Sequence, residues 1–149
     1  MRRTWLCWTL ALGLCILAAP RVAGGQTAAK KGPAARSTLS GVYTAAQANR
    51  GKNVYSGMCK QCHTVESHTG ATFAKWWAGK QLSDLFMYVT QNMPKNDPGS
   101  LAPEDYADVM AYLLRMNAMP VGKQELPPDP DELQKIRISV KRPTKSGNN

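Results

Sequence analysis

Acidic residues are scarce in this chain of 149 residues: ten Asp and Glu stand against nineteen Lys and Arg, a formal net charge of +9. That balance admits nucleic acid, an anionic membrane surface or an acidic protein as partner, and does not by itself choose among them. Aromatic residues make up only 7% and mean hydropathy is −0.37, which excludes a multi-span membrane protein. Twelve glycines and ten prolines are too few for a collagen or a wholly low-complexity chain. No repeat of roughly 20 to 50 residues is found, which excludes a solenoid. No segment alternates with period two for long enough to predict a strand, so the expected fold class is all-α.

Cysteine is also short, and its placement matters more than its count. Cys7 and Cys15 lie in a mostly apolar run, Trp5 to Ala19, that follows Arg2 and Arg3 and precedes Pro20, Ala23, Gly24 and Gly25. Charge, apolar run and small residues in that order read as a secretory signal peptide over residues 1–25, cut before Gln26. An uncleaved anchor ranks below cleavage, because the run falls short of the roughly 18 apolar residues a span needs. A lipoprotein reading through Cys15 is weaker, since bulky Leu14 precedes it, and Arg2-Arg3 matches a twin-arginine signal only in part. Cleavage leaves Cys59 and Cys62 alone, so no disulfide framework remains. The expected location is the periplasm, with no stable membrane span after cleavage, and export disfavours nucleic acid as a partner.

Residues 26–40 are rich in Ala, Lys, Gly, Pro, Ser and Thr and read as a flexible leader. Residues 41–122 carry the helical signals of a single domain, and 123–149 read as a proline-rich, then basic, tail. Leu133 to Ile136 is compatible with a short helix or a strand. One helix is predicted from the N-cap Thr44 to Met58, packing through Ala48, Gly51 and Tyr55. A second starts near Leu82 and stops before Pro94, with the stripe Leu82, Leu85, Phe86 and Val89. A third starts with Pro103 at its first position and Glu104 and Asp105 in its first turn. Its stripe is Tyr106, Val109, Met110 and Leu113, and it ends near Asn117. Ala102 stands where a capping Ser or Thr is expected, a loss of about 1 kcal/mol at most. So small a helical core is expected to lean on a cofactor.

Cys59-Lys60-Gln61-Cys62-His63 has the form C-x-x-C-H. Two thiols separated by one turn can add across the two vinyl groups of haem, and the adjacent His63 can then bind the iron. A thioredoxin-like pair would sit at a helix start after a strand, whereas this motif follows a predicted helix. Zinc would need two further ligands, and after cleavage the chain offers only His68 besides the motif itself. For the sixth position of the iron, Met58 is too near the motif to cross the haem. Met87 and Met110 lie inside helices. Met93 sits where Pro94 must end the second helix, before the turn-rich loop 95–99, and is the preferred distal ligand. Met119 before Pro120 is its rival. His68 is too close to His63 to cross the haem and reads as solvated.

The segments Leu82-Ser83-Asp84-Leu85-Phe86, Met93-Pro94, Pro98-Gly99-Ser100-Leu101 and Tyr106 to Leu113, taken with the C-x-x-C-H motif, resemble class I c-type cytochromes. They are similar in particular to the small monohaem cytochromes associated with quinoprotein dehydrogenases. The resemblance covers about Tyr43 to Leu126. It implies a small cytochrome c fold, with three or more helices wrapped around one covalently attached haem c. It implies Cys59 and Cys62 as thioether residues, His63 as proximal ligand and Met93 as distal ligand. The first and last helices are expected to cross near Gly51, Tyr55, Val109 and Tyr112. The separation of 30 residues between His63 and Met93 is short for this family, and the part this chain lacks is in the loop after His63.

With no acid/base constellation beyond the motif, the expected function is one-electron transfer, not enzymatic turnover. The resemblance implies a quinoprotein dehydrogenase as donor and an oxidase or another cytochrome as acceptor. The alternatives are a haem enzyme or gas sensor with an open sixth site, or a structural subunit of a larger dehydrogenase. Lys75, Lys80, Lys95 and Lys123 are candidates for steering an acidic partner, and Trp76-Trp77 for packing beside the haem.

Overall fold

Thr44 opens the first helix as expected: its Oγ1 accepts the Gln47 N–H at 3.0 Å, satisfying one of the donors a helix start leaves free. In the computed structural model, which describes residues 36–141, the helices are α1 (Ala45–Met58), α2 (Gly70–Trp77), α3 (Leu82–Asn92), α4 (Pro103–Met116) and α5 (Pro130–Leu133). Two-residue strands β1 (Arg36–Ser37) and β2 (Ile136–Arg137) pair in parallel, and 3-10 turns cover Thr38–Ser40 and Val65–His68. The described residues are all-α apart from that short ladder and an isolated bridge between Gln81 and Arg137. The signal segment, most of the leader and residues 142–149 lie outside the described residues.

The three helices expected from capping and periodicity are present. In α3, Leu82, Leu85 and Phe86 are buried, with Val89 packed against the same core. Pro103 is the first residue of α4, and Ala102 makes no side-chain cap bond. Helices α1 and α4 form the main contact. A Cβ on Gly51 would lie 1.8 Å from the carbonyl oxygen of Asp108, so only glycine lets the two backbones approach this closely. Tyr55 meets Tyr112 one turn further on, ring centroids 5.3 Å apart. Arg50 of α1 clamps this pair from outside. It donates to Asp108 Oδ2 at 2.7 Å and Oδ1 at 2.9 Å, and to Glu125 Oε1 and Oε2 at 3.0 and 2.9 Å.

That last contact bears on the chain's organisation. Residues 36–40 and 123–141, read from composition as leader and tail, each contribute buried side chains to the same core. Leu126, Leu133, Ile136 and Ile138 are all buried. The Gln47 amide pairs with the Leu126 backbone in both directions, at 2.9 and 2.8 Å. Thr38 Oγ1 donates to the Ser139 carbonyl and accepts its N–H, both at 2.9 Å. The C-terminal strap also closes on the loop between α2 and α3. The N–H of Gly79 donates to the Ile138 carbonyl, the N–H of Ile138 to the Lys80 carbonyl, both at 2.8 Å, and Arg137 Nη1 to the Gly79 carbonyl at 3.0 Å. Four apolar residues at irregular spacing carry no helical or strand period, so a periodicity reading passes over them. Leu133 proves to end a helix and Ile136 to start a strand. Helix α2, which the sequence reading did not single out, buries only Phe73. No helix among the described residues is long and apolar enough to cross a membrane.

Candidate haem site

The last turn of α1 leads directly into the motif. Cys59 caps the helix, its N–H bonded to the Tyr55 carbonyl at 2.9 Å. Cys62 and His63 then fold back, both N–H groups donating to the Cys59 carbonyl at 3.1 and 3.0 Å. This tight turn puts both thiols and the imidazole on the wall of one cavity of about 490 Å³, within the usual range for ligand sites. Both thiols are free; Cys59 is half-buried and Cys62 exposed. Burial pushes the Cys59 thiol above its ordinary value.

The other walls are mostly apolar. Helix α2 supplies Phe73, Trp76 and Trp77, α3 supplies Leu85, Tyr88 and Val89, and α4 supplies Val109 and Leu113. Met93 closes the end of α3 and also lines the cavity. Its N–H is bonded to the Val89 carbonyl at 2.9 Å, and its carbonyl accepts Tyr106 Oη at 2.8 Å. The backbone that carries the thioether is therefore held from two sides.

The rival methionine is elsewhere. Met119 is 4% exposed within the core, its carbonyl accepts Tyr43 Oη at 2.6 Å, and it is not among the cavity residues. Met110 is fully buried in α4, while Met58 stands at the rim, 46% exposed. His68 departs from its solvated reading. It is half-buried on the cavity wall, with its ring centroid 4.6 Å from that of His63 and 5.9 Å, edge-on, from that of Tyr55. Burial and then the His63 charge depress its pKa. Tyr55 was expected only as a packing residue. It lines the cavity as well, and its Oη is buried with no hydrogen-bond partner among the described residues. Its position four residues before Cys59, on the same helix face, was the available signal.

Of the four lysines, Lys80 and Lys95 line the cavity. Lys80 Nζ lies 4.9 Å from the centroid of the Trp77 ring and Lys75 Nζ 5.6 Å from that of Trp76. Lys123 belongs instead to a separate hollow beside Arg36. Trp76 is 59% exposed, whereas Trp77 is partly buried against Tyr88. No Asp or Glu lines the cavity among the described residues.

This set fits a covalently held haem: two free thiols, an imidazole and a thioether on one mostly apolar cavity. It does not fit a zinc site, since no three His, Cys, Asp or Glu side chains come together as a metal-binding group among the described residues.

Residues 46–113 match the model of a family described as cytochrome C oxidase, cbb3-type, subunit III. No curated protein and no solved structure matches the chain. The family match supports a class I c-type cytochrome, and a cytochrome c domain implies covalently bound haem c with its iron, and redox partners in general.

Proposed function

We propose, on the premise of a c-type cytochrome domain over residues 46–113, that this protein is an exported one-electron carrier whose iron is bound by His63 and Met93. The observation that carries the reading is the convergence of Cys59, Cys62, His63 and Met93 on one cavity. Bound haem supplies the ferrous/ferric couple. Cys59 and Cys62 hold it through thioethers, and His63 presents its imidazole from the adjoining turn. Met93 contributes a soft, neutral sulfur that favours the ferrous state and raises the potential. Leu85, Val89, Val109 and Leu113 exclude water, which disfavours the extra charge of the ferric state. Tyr106, bonded to the Met93 carbonyl, fixes the loop that bears the ligand.

Lys75, Lys80 and Lys95 around the cavity, with no carboxylate on its lining, suit an acidic partner surface. Resemblance favours a quinoprotein dehydrogenase as donor and an oxidase or a second cytochrome as acceptor. The description of the matched family favours a second reading, a cytochrome subunit within an oxidase assembly; copurification with oxidase subunits distinguishes the two. Arg2-Arg3, the apolar run and the small residues before Gln26 support export to the periplasm, and N-terminal sequencing at Gln26 tests it. The decisive experiment is a haem-stained denaturing gel of the exported protein, followed by an absorbance spectrum. Wild type is expected to stain and Cys59→Ala/Cys62→Ala not to; staining of the double variant overturns the attachment.

A further inference from the structure

His68 is an imidazole on the cavity wall to which electron transfer through His63 and Met93 assigns no task. We propose that His68 is a positioning residue for the proximal imidazole: it accepts the ring N–H of His63 and donates its own ring N–H to Tyr55 Oη. The inference rests on the reading of His63 as a haem ligand.

Three observations carry it. The rings of His63 and His68 are neighbours, centroids 4.6 Å apart and planes inclined by 56°. His68 is also held in place and does not drift with a surface loop. Its carbonyl accepts Asn117 Nδ2 at 2.9 Å, and Asn117 Oδ1 accepts the Gly70 N–H at 3.0 Å. The residue that caps α4 thus grips the turn on both sides of Thr69. Tyr55 stands edge-on to His68, ring centroids 5.9 Å apart, and its buried Oη has no partner among the described residues. A buried hydroxyl left unpaired is costly.

The donors and acceptors balance. A histidine that binds metal through one nitrogen carries N–H on the other and nearly always gives it to an acceptor; the His63 ring makes no hydrogen bond among the described residues. A neutral imidazole has one acceptor and one donor nitrogen. One tautomer of His68 therefore serves the His63 N–H and the Tyr55 oxygen together. His68 neighbours both of the other rings, and side-chain rotation is required to close the two hydrogen bonds. An acceptor at this N–H strengthens His63 as a donor to iron, which favours the ferric state and lowers the potential.

The test compares His68→Phe, which keeps a ring without an acceptor, with His68→Gln, which returns an acceptor oxygen, in the haem-loaded full chain. The readouts are haem staining, thermal melting, reduction potential and the exchange rate of the His63 ring N–H, followed by nitrogen-15 histidine NMR of the ferrous protein. His68→Phe is expected to raise the potential and speed that exchange at least tenfold, and His68→Gln to recover most of both. Tyr55→Phe, which removes one oxygen, is expected to shift both in the same direction by less; it keeps the test decisive if His68→Phe does not load haem. Variants that stain fully with unmoved potential and exchange overturn the role of His68, and so does a lowered melting temperature alone, which marks simple packing. Absence of stain in the wild type overturns the haem reading itself.

Discussion

Met93 and Met119 were both open as distal ligands on sequence grounds, and their surroundings separate them. Met93 lines the cavity while Met119 fills the core, so the two alanine variants are expected to fail in different ways. Met93→Ala should keep covalent haem, since the thiols and His63 are untouched. It should lose the long-wavelength band of methionine-ligated ferric haem, show a lower potential and bind cyanide or carbon monoxide readily. Met119→Ala should retain the band and lose about 2–5 kcal/mol of stability in urea denaturation. A retained band in Met93→Ala would return the choice to Met119. Cys59, Cys62 and His63 were legible because their chemistry is written in five consecutive residues. The places of Tyr55 and His68 on the cavity wall were not, because they arise where the end of a helix, a 3-10 turn and the cap of α4 meet in space.

The crossing of α1 and α4 depends on the missing side chain of Gly51. Gly51→Ala would place a methyl group 1.8 Å from the Asp108 carbonyl oxygen, and backbone cannot yield as a flexible side chain does. The helices must separate, at a cost of at least about 1–3 kcal/mol, read as a lower urea midpoint. Arg50 ties the same pair to Glu125, and its hydrogen bonds hold the Glu125 carboxyl below its ordinary value of 4.5. A depressed folded-state value means that the stabilisation is complete above 4.5 and is lost as pH falls through and below it. Urea midpoints measured at decreasing pH should therefore drop less steeply for Glu125→Gln than for wild type. Because Glu125 is half-exposed, the difference should be modest and should shrink in salt. Helix boundaries were readable from Thr44, Pro94 and Pro103, whose preferences act within one turn. The docking of Leu126 and Ser139 was not, since side-chain amides and hydroxyls that bond backbone about eighty or a hundred residues away leave no local pattern.

At the scale of the whole protein, an excess of positive charge says little until its placement is known. Lys80 and Lys95 stand at the cavity and Lys123 in a separate hollow. Reversing the first two to Glu is expected to slow association with an acidic redox partner by about tenfold or more at low ionic strength, a gap that closes as salt is added. Lys123→Glu should have a much smaller effect in the same stopped-flow measurement. Equal slowing by all three would indicate net charge in place of a defined contact. The strap from β2 onto Gly79 and Lys80 has a consequence in time as well as in space. A chain delivered with its N-terminus leading presents Cys59 and Cys62 well before Ile138 emerges. Until then the hydrogen bonds that tie Gly79 and Lys80 to the strap are unmade. A large, flat guest is expected to be seated and bonded in that interval, before Ile138 pairs with the loop.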